Sequence, residues 1–266
     1  MNKILKFVKM HGLGNDFVVI DGINQQVQLN AFIVNQWANR HIGIGFDQLL
    51  LIEKSKTADF YCRIFNSDGS EAEQCGNGMR CVARFVIEEH LTNKKSIRIE
   101  TKSGIMLAKA NDFDNIEIDM GIPMIEPNMD LDSANIKQMA IVSMGNPHAI
   151  LFVENLAQYP ISTIGSMIAT HTLFPNGTNV GFVEVIKPNH IRLRTFERGV
   201  GETFACGSNA CAAVVAGILN RELADTVTVE LELGQLNIRW NGLNQTVMMK
   251  GPASRVFEGK CLTNSG

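Results

Sequence analysis

Two cysteines occupy similar positions in the sequence, each followed by glycine and then by a stretch of helical character. Cys75 is followed by Gly-Asn-Gly and Cys206 by Gly-Ser-Asn. The start of a helix offers backbone N–H groups and a partial positive charge, which favour the thiolate form of cysteine and bind carboxylates. Two such thiols could remove a proton from one face of a carbon and return one to the other face. The pair therefore predicts acid–base chemistry that inverts a stereocentre.

The two cysteines belong to a longer internal repeat. Identical residues recur 131 positions apart, namely Arg63 and Arg194, Phe65 and Phe196, Glu71 and Glu202, Cys75 and Cys206, and Gly76 and Gly207. The same offset places Asn15 onto Asn146 and Gln48 onto Asn179. A repeat of half the chain predicts two similar domains related by a pseudo-twofold axis. Each domain would then contribute equivalent residues to one site.

The predicted elements indicate an α+β fold. Alternating polar and apolar residues predict strands at Phe60–Phe65, Ser96–Thr101, Ile116–Met120, Ile191–Phe196, Val227–Leu231 and Thr246–Met249. The stretches Asn77–Glu89 and Ser208–Asn220 predict helices, and the second is apolar enough to be buried on all sides. We expect each half to form a curled, mostly antiparallel sheet around a central buried helix.

Turn residues indicate where the halves divide. The segment Gly121–Gln138 contains proline, aspartate and asparagine, and it predicts a linker. We therefore expect an N-terminal repeat domain at residues 1–121 and a C-terminal repeat domain at residues 122–254. The tail at residues 255–266 has no counterpart at the end of the first half. We expect this tail to return to the N-terminal domain.

Composition argues against several classes of protein. The 266 residues carry 24 Lys and Arg against 27 Asp and Glu, which leaves no excess of positive charge for a nucleic acid. No apolar run reaches the roughly eighteen residues of a membrane span, and the first residues lack the pattern of a signal peptide. We expect a cytoplasmic protein that binds neither nucleic acid nor a membrane. Its six cysteines are then expected to be thiols, and their spacing indicates no metal site.

Five ordered motifs resemble the signature of the diaminopimelate epimerase family. They are His11–Phe17, Gly43–Gln48, the run from Asn66 to Arg80 around Cys75, Met144–His148, and the run from Glu197 to Ser208 around Cys206. The resemblance covers nearly the full length of the chain and implies two pseudo-symmetric domains. It also implies a cofactor-independent enzyme, usually a homodimer. Such an enzyme interconverts LL- and meso-2,6-diaminopimelate on the route to lysine and peptidoglycan precursors.

The resemblance implies a role for each residue of the site. Cys75 and Cys206 would be the two bases. The reacting carboxylate would be held by the backbone N–H groups of Gly76, Asn77, Gly207 and Ser208. The substrate would contact Asn15, Asn66, Asn146, Asn179, Glu197 and Arg198, with Gln48 at its edge. His148 and Glu197 would poise the thiols or the reacting amino group.

The residues alone leave other functions open. A racemase or epimerase of proline, hydroxyproline or another amino acid could use the same thiols. A thiol redox protein usually has a local Cys-x-x-Cys pair, and a catalytically inactive binding protein would not need both cysteines. One residue departs from the family pattern, because Asn209 stands where glycine is expected after Cys-Gly-Ser. If this position requires a positive φ, asparagine is the next-best residue for it.

Overall fold

A computed structural model describes residues 3–131 and 136–263, in which the chain divides into two units. The first unit comprises the residues up to Ile118 together with those from Gly251 onward. The second unit comprises Asp119–Lys250. The N-terminal segment and the C-terminal tail of the chain therefore belong to the same unit.

The described residues form eighteen strands and four helices. The strands are β1 (Lys3–Gly12), β2 (Asn15–Asp21), β3 (Gln48–Glu53), β4 (Phe60–Asn66), β5 (Glu71–Ala72), β6 (Ser96–Thr101), β7 (Gly104–Lys109), β8 (Ile116–Asp119), β9 (Met124–Leu131), β10 (Ile136–Ser143), β11 (Pro147–Phe152), β12 (Asn179–Lys187), β13 (His190–Glu197), β14 (Gly201–Thr203), β15 (Thr226–Leu231), β16 (Gly234–Arg239), β17 (Met248–Gly251) and β18 (Ser254–Thr263). The helices are α1 (Ala31–Ala38), α2 (Gly76–Glu88), α3 (Ile161–Ala169) and α4 (Gly207–Leu219).

The two units have the same strand order. In the first unit it is β18-β1-β2-β3-β4-β6-β7-β8. In the second unit it is β9-β10-β11-β12-β13-β15-β16-β17. The short strands β5 and β14 form hairpins with β4 and β13. The predicted duplication and α+β fold are confirmed, and β18 takes in the first unit the place that β9 takes in the second.

Each unit contains two parallel strand pairs, and a helix lies between the members of each pair in the chain. In the first unit α1 connects β2 to β3, and α2 lies between β4 and β6. In the second unit α3 and α4 do the same for β11 and β12 and for β13 and β15. Parallel neighbours require such crossover connections. The remaining strand pairs named above are antiparallel, as predicted.

The central strands of the first unit are covered on both faces. Val18, Leu49 and Leu51 belong to the same core cluster as Val34 of α1. On the opposite face, a Cβ at Gly78 of α2 would lie 3.3 Å from Leu50 Cδ1. Because alternate residues of a strand point to opposite faces, a strand covered on both sides is apolar throughout. This explains the uninterrupted apolar runs of β2 and β3.

The second unit repeats this arrangement. Helix α4 is buried from Asn209 to Gly217 and contacts β10, β11, β12, β13 and β16. Its many alanines allow the strands to approach closely on all sides. On the other face of the sheet, Ile161 and Ile168 of α3 share a core cluster with Phe182 of β12. The predicted burial of the second helix is confirmed.

The predicted elements are present, and their ends shift by no more than two residues. The prediction of a linker at Gly121–Gln138 is wrong, because much of this segment forms strand β9 and the start of strand β10. Residues 132–135 of that segment lie outside the described residues. Pro127 is tolerated because it lies at a register shift of the β9–β10 ladder, where a missing N–H costs little. The short helices α1 and α3 were not predicted.

The length of the helices also bears on membranes. Helices α2 and α4 have 13 residues each, whereas a membrane-spanning helix needs about 20. Among the residues that the structure describes, no helix is long and apolar enough to cross a membrane.

Candidate active site

The strand order places the predicted polar residues of the first unit at one end of its sheet. Asn15 and Gln48 are the first residues of the parallel strands β2 and β3, and Asn66 is the last residue of β4. Parallel strands begin at the same edge, and an antiparallel neighbour ends there. Cys75 joins them at this edge, with its Sγ 3.9 Å from Asn15 Oδ1.

Cys75 is the N-cap residue of α2. Its backbone is extended, with φ −153° and ψ 104°, and its Sγ accepts the N–H of Gly78 at 3.4 Å. The thiol is half-buried. Gly76 and Asn77 are the first residues of the helix, where backbone N–H groups favour a bound anion. The helix start predicted at this cysteine is confirmed.

Side-chain hydrogen bonds surround Asn15. Its Nδ2 donates to Asp47 Oδ2 at 3.0 Å, and its Oδ1 accepts from Asn77 Nδ2 at 3.3 Å. The fully buried Arg80 donates from Nη1 to Asn77 Oδ1 at 2.9 Å. The sequence-based prediction assigned no role to Asp47. Its place in the motif Gly43–Gln48 is the signal by which it could have been found.

Charge beside Asn15 is concentrated on Asp16. This carboxylate accepts hydrogen bonds from Lys9 and from both terminal nitrogens of Arg40. Burial alone would raise the pKa of Asp16, but the hydrogen bonds from Arg40 and Lys9 outweigh it and lower the pKa to about 2. Arg40 also donates to Asp47 Oδ1 at 2.8 Å. Asp16 is therefore ionised at physiological pH, and Arg40 ties it to Asp47.

Gln48 and Asn66 form a second pair of predicted residues. They lie opposite each other on β3 and β4, and Gln48 Nε2 donates to Asn66 Oδ1 at 2.9 Å. Asn66 Nδ2 donates in turn to Ser70 Oγ at 3.0 Å. Within the described ranges, Gln48 Oε1 is buried and has no hydrogen-bond partner. The contact of Gln48 and Asn66 with a substrate stays a prediction.

The second unit places its predicted residues at the corresponding end of its sheet. Asn179 is the first residue of β12, and Glu197 is the last residue of β13. Asn146 immediately precedes β11, which runs parallel to β12. Each unit therefore gathers its predicted residues at one end of its own sheet, and the topological reason is the same in both.

Cys206 is the N-cap residue of α4, so the second predicted helix start is also confirmed. Its backbone is extended, with φ −123° and ψ 109°. Its Sγ lies 3.4 Å from Ser208 Oγ, and either atom could be the donor. Gly207 and Ser208 open this helix as Gly76 and Asn77 open α2.

His148 is fully buried and lies beside Asn146. Its Nε2 is 3.0 Å from Asn146 Oδ1. Burial lowers the pKa of His148 to about 3, so the ring is neutral at physiological pH and donates from Nε2 to the amide oxygen. Nδ1 has no hydrogen-bond partner among residues 3–131 and 136–263. The influence of His148 on the thiols stays a prediction.

Glu197, Arg198 and Asn179 meet beside the β13–β14 hairpin. The backbone N–H of Arg198 donates to Asn179 Oδ1 at 3.0 Å, and its guanidinium donates to the carbonyl oxygen of Asn176 at 2.6 Å. Thr203 Oγ1 donates to Glu197 Oε1. The sequence-based prediction missed Thr203. It is the diagonal neighbour of Glu197 across the hairpin, which becomes visible only once the strands are paired.

Asn209 lies in the first turn of α4 and is fully buried. Its Nδ2 donates to the Val180 carbonyl oxygen at 3.0 Å and to Thr195 Oγ1 at 3.2 Å. Asn209 is absent from the residues with positive φ, so a left-handed backbone does not explain the asparagine. Instead, its side chain ties α4 to β12 and β13.

All six described cysteines are thiols, as predicted. Apart from Cys75 and Cys206, the structure buries Cys62, Cys81 and Cys211 and leaves Cys261 half-buried. Burial raises the pKa of Cys62 and raises that of Cys81 to about 12. Such thiols are poor nucleophiles and poor bases at neutral pH. Cys206 is buried as well, so its place at a helix start, and not its exposure, sets it apart from these thiols. The catalytic role of Cys75 and Cys206 stays a prediction.

The chain matches known proteins in sequence and in fold. The family model for diaminopimelate epimerase matches residues 7–125 and 140–256. The chain is 48% identical over 270 residues to a diaminopimelate epimerase of Nitrosomonas europaea, covering 96% of this chain and 98% of that one.

Two solved structures resemble the fold. A PhzF-family phenazine biosynthesis protein of Bacillus anthracis matches with a TM-score of 0.75 and 18% identity, over 98% of this chain and 100% of that one. A hydroxyproline epimerase from Agrobacterium vitis matches with a TM-score of 0.75 and 13% identity, over 98% and 93%. At these identities the likeness concerns the fold alone. The family match and the identity over nearly the whole sequence establish more: the chain belongs to the diaminopimelate epimerase family.

Proposed function

We propose that the chain interconverts LL-2,6-diaminopimelate and meso-2,6-diaminopimelate without a cofactor, in the synthesis of lysine and peptidoglycan precursors. The observation that carries this proposal is the thiol at each of two equivalent helix starts, Cys75 before α2 and Cys206 before α4. One sulfur, as thiolate, takes the α-proton from the substrate. The other, as thiol, gives a proton to the opposite face of the carbon. The carbon loses one proton and gains one, so only its configuration changes.

Negative charge builds on the substrate carboxylate as the α-proton leaves. Because this proton is weakly acidic, fixed donors must stabilise that charge. We assign this role to the backbone N–H groups of Gly76, Asn77, Gly207 and Ser208, the first residues of α2 and α4. A helix N-terminus adds about half a positive charge to such donors.

The second amino-acid end of diaminopimelate accounts for the remaining polar residues. A guanidinium binds a carboxylate through two parallel hydrogen bonds, and a carboxylate or amide oxygen binds an ammonium group. The residues assigned to substrate contact are Asn15, Asn66, Asn146, Asn179, Glu197 and Arg198, with Gln48 at the edge. A site with these groups rejects proline, because proline leaves polar groups of the protein unpaired.

His148 and Glu197 are assigned to poising the thiols or the reacting amino group. His148 is neutral because burial lowers its pKa to about 3, so it acts as a hydrogen-bonding group with no charge of its own. Glu197 is held by the hydroxyl of Thr203. A carboxylate fixed in this way is suited to a substrate ammonium group.

The protein is proposed to act as a homodimer in the cytoplasm, with a small zwitterionic substrate and neither nucleic acid nor membrane as partner. Ile4, Val256 and Leu262 expose most of their side chains on β1 and β18. Among the described strands, β18 pairs only with β1. An open strand edge beside exposed apolar side chains is suited to a partner surface. Sedimentation at micromolar concentration would detect the dimer, and a monomer would refute it.

The activity is tested by hydrogen exchange. Purified, reduced protein is incubated in deuterium oxide with LL-diaminopimelate and no cofactor, and proton NMR follows the α-position. We expect deuterium to enter the α-carbon as the meso isomer accumulates. Proline and 4-hydroxyproline, run in parallel, should stay unlabelled. Exchange with proline but not with diaminopimelate would favour the alternative racemase, and exchange with neither would refute both.

A further inference from the structure

Four side chains of the first unit form a hydrogen-bonded chain of fixed direction. Arg80 Nη1 donates to Asn77 Oδ1, Asn77 Nδ2 donates to Asn15 Oδ1, and Asn15 Nδ2 donates to Asp47 Oδ2. The chain begins at a guanidinium, which only donates, and ends at a carboxylate, which only accepts. Each amide between them is therefore held in one of its two orientations.

This direction decides which atom of Asn15 faces the thiol. Because Asp47 accepts from the Asn15 nitrogen, the Asn15 oxygen must turn towards Cys75, whose Sγ lies 3.9 Å away. Asn77, which Arg80 leaves with only its nitrogen to face Asn15, favours the same orientation through a longer bond, 3.3 Å against 3.0 Å for the bond to Asp47. The Asn15 oxygen is thus a fixed acceptor beside the sulfur.

Both ends of the chain are anchored. Arg80 is fully buried and also donates from Nε to the Pro252 carbonyl oxygen at 2.9 Å. A Cβ at Gly12 would lie 2.8 Å from Arg80 Nη2, so the guanidinium is closely confined. At the other end, Asp47 Oδ2 also accepts the backbone N–H of Asp16 at 3.1 Å, and Arg40 holds Oδ1.

We propose that Asp47 and Arg80 are positioning residues that hold the Asn15 amide oxygen towards Cys75 and thereby keep this cysteine protonated in the resting enzyme. A thiol satisfies both neighbours, because S–H donates to Asn15 Oδ1 while the sulfur accepts the N–H of Gly78. A thiolate would place its charge beside a carbonyl oxygen that cannot donate.

The second unit lacks this chain. The positions 131 residues after Asp47, Asn77 and Arg80 hold Thr178, Ser208 and Cys211. Cys206 instead lies beside the Ser208 hydroxyl, which can turn its proton towards a thiolate. The two thiols are therefore unequal at rest. On the proposed two-base function, which this step presupposes, Cys206 as thiolate takes the α-proton of the isomer that presents it to this sulfur, and Cys75 gives its own proton to the opposite face. This turnover leaves Cys206 as thiol and Cys75 as thiolate, and proton exchange with solvent restores the resting form.

Several other ionisable groups lie near Cys75 and the chain. They are Asp16 with Lys9 and Arg40 beside Asn15, and the buried thiols of Cys62 and Cys81 near Cys75. The thiols of Cys62 and Cys81 stay neutral at physiological pH, because burial raises the pKa of both. Cys75 thus lies beside an acceptor of fixed orientation, and Cys206 lies beside a hydroxyl that can donate.

The test measures alkylation of Cys75 by iodoacetamide from pH 6 to pH 10, with peptide mass spectrometry as the readout. Asp47→Ala removes the acceptor that orients Asn15. We expect Cys75 to react about three- to tenfold faster at pH 7, as the loss of one hydrogen bond implies. The midpoint of its pH profile should move down while the rate at high pH stays unchanged. A general opening of the site would instead raise the rate at every pH.

Three controls separate orientation from loop stability. Asp47→Asn keeps an oxygen for Asn15 and should restore the parent profile of Cys75. Asn39→Ala loosens the same loop by removing the oxygen that accepts the N–H groups of His41 and Ile42, and it leaves both oxygens of Asp47 in place, so its profile should also match the parent. The Cys206 peptide in each sample should react equally in all variants.

The proposal is overturned if Asp47→Ala leaves the Cys75 profile unchanged, or if Asn39→Ala shifts it as far. If Asp47→Ala fails to fold, Asn15→Leu removes the same oxygen, and an unchanged midpoint there would overturn the proposal equally. Alkylation needs no substrate. A failed exchange assay would therefore count against the proposed function without altering this result.

Discussion

A side chain at Gly181 would need the space that Asn209 already fills. A Cβ built on Gly181 of β12 would lie 2.5 Å from Asn209 Oδ1, whereas non-bonded carbon atoms pack best at about 3.5–4.0 Å. The asparagine of α4 reaches over this glycine to hydrogen-bond Val180 and Thr195. The close approach of helix and strand thus depends on both residues together.

Gly181→Ala should therefore destabilise the second unit. Gly181 does not have a positive φ, so the cost arises from packing and not from the backbone. We expect the free energy of unfolding to fall by about 1–3 kcal/mol, as is typical of an overpacked core. Urea denaturation followed by circular dichroism measures this change.

The double variant Gly181→Ala with Asn209→Gly is the matched control. Asn209→Gly alone loses two buried hydrogen bonds and is also expected to destabilise the protein. Combined with Gly181→Ala, it removes the clash of the new methyl group with Asn209, so that only the flexible end of Ile150, whose Cδ1 would lie 2.8 Å away, has to shift. The double variant should therefore lose less free energy of unfolding than the two single variants lose in sum, by about 1 kcal/mol. Simple additivity would contradict the proposed packing.

Each helix-cap cysteine should be required for epimerisation. Replacing Cys75 or Cys206 by alanine removes one of the two proton-transfer groups and should slow interconversion by roughly 10²–10⁴-fold. Chiral chromatography of the two isomers measures the rate. Cys261→Ala, a change in a half-buried thiol of the tail strand, should retain the parent rate. Full activity in Cys75→Ala or Cys206→Ala would refute the two-base mechanism.

Buried His148 should make stability depend on pH. Its pKa is about 3 in the folded protein and about 6.5 in an unfolded chain. A lowered pKa contributes stability that is present above the unfolded value and is lost as the pH falls. We expect the free energy of unfolding to drop by about 2 kcal/mol between pH 7 and pH 5. Urea denaturation at both pH values measures the difference.

His148→Phe supplies the control for this pH dependence. Phe17, which lies 131 positions earlier, is a fully buried phenylalanine at the corresponding place on β2. The first unit thus shows that a phenylalanine fits this position of the repeat. The variant should have a much smaller difference in stability between pH 7 and pH 5. An unchanged difference would assign the pH dependence to other groups.

Thr203→Val should weaken the proposed contact between Glu197 and the substrate. Valine has the shape of threonine but cannot donate to Glu197 Oε1. If Glu197 binds substrate, its loss of position should lower kcat/KM by about tenfold, the value of one hydrogen bond to a charged group. Thr246→Val removes a hydroxyl that contacts Met248 and should leave kcat/KM unchanged. Equal rates in both variants would show that the Thr203 hydroxyl does not position Glu197 for the substrate.

The helix starts were predictable because their signals are local. Cys-Gly precedes a helical pattern in both halves, and the repeat shows which cysteines matter. Helix α3 was harder to predict from the sequence, because Gly165 in its middle weakens the helical signal. The glycine is explained by packing, since a Cβ there would lie 2.6 Å from Phe196 Cγ. Strand β9 was hidden by Pro127, whose tolerance depends on a bulge in a ladder with β10.

The candidate site was predictable to a similar extent. The cysteines and the asparagines follow from the repeat and the motifs, because the residue types themselves carry the chemistry. Asp47 and Arg80 act through Asn15 and Asn77. Their relation depends on three hydrogen bonds between distant parts of the chain. The direction of an amide is visible only when the groups on both of its sides are known.

Strand β18 completes the first unit by pairing with β1. Since the second unit is built from the continuous segment Asp119–Lys250, all of it is synthesised after β1 and before β18. Strand β1 therefore lacks its outer neighbour until synthesis has passed through the whole of the second unit. The N-terminal half of the gene product is thus the last to be finished, and the exposed edge of β1 is the part of the nascent chain that a chaperone would have to shield.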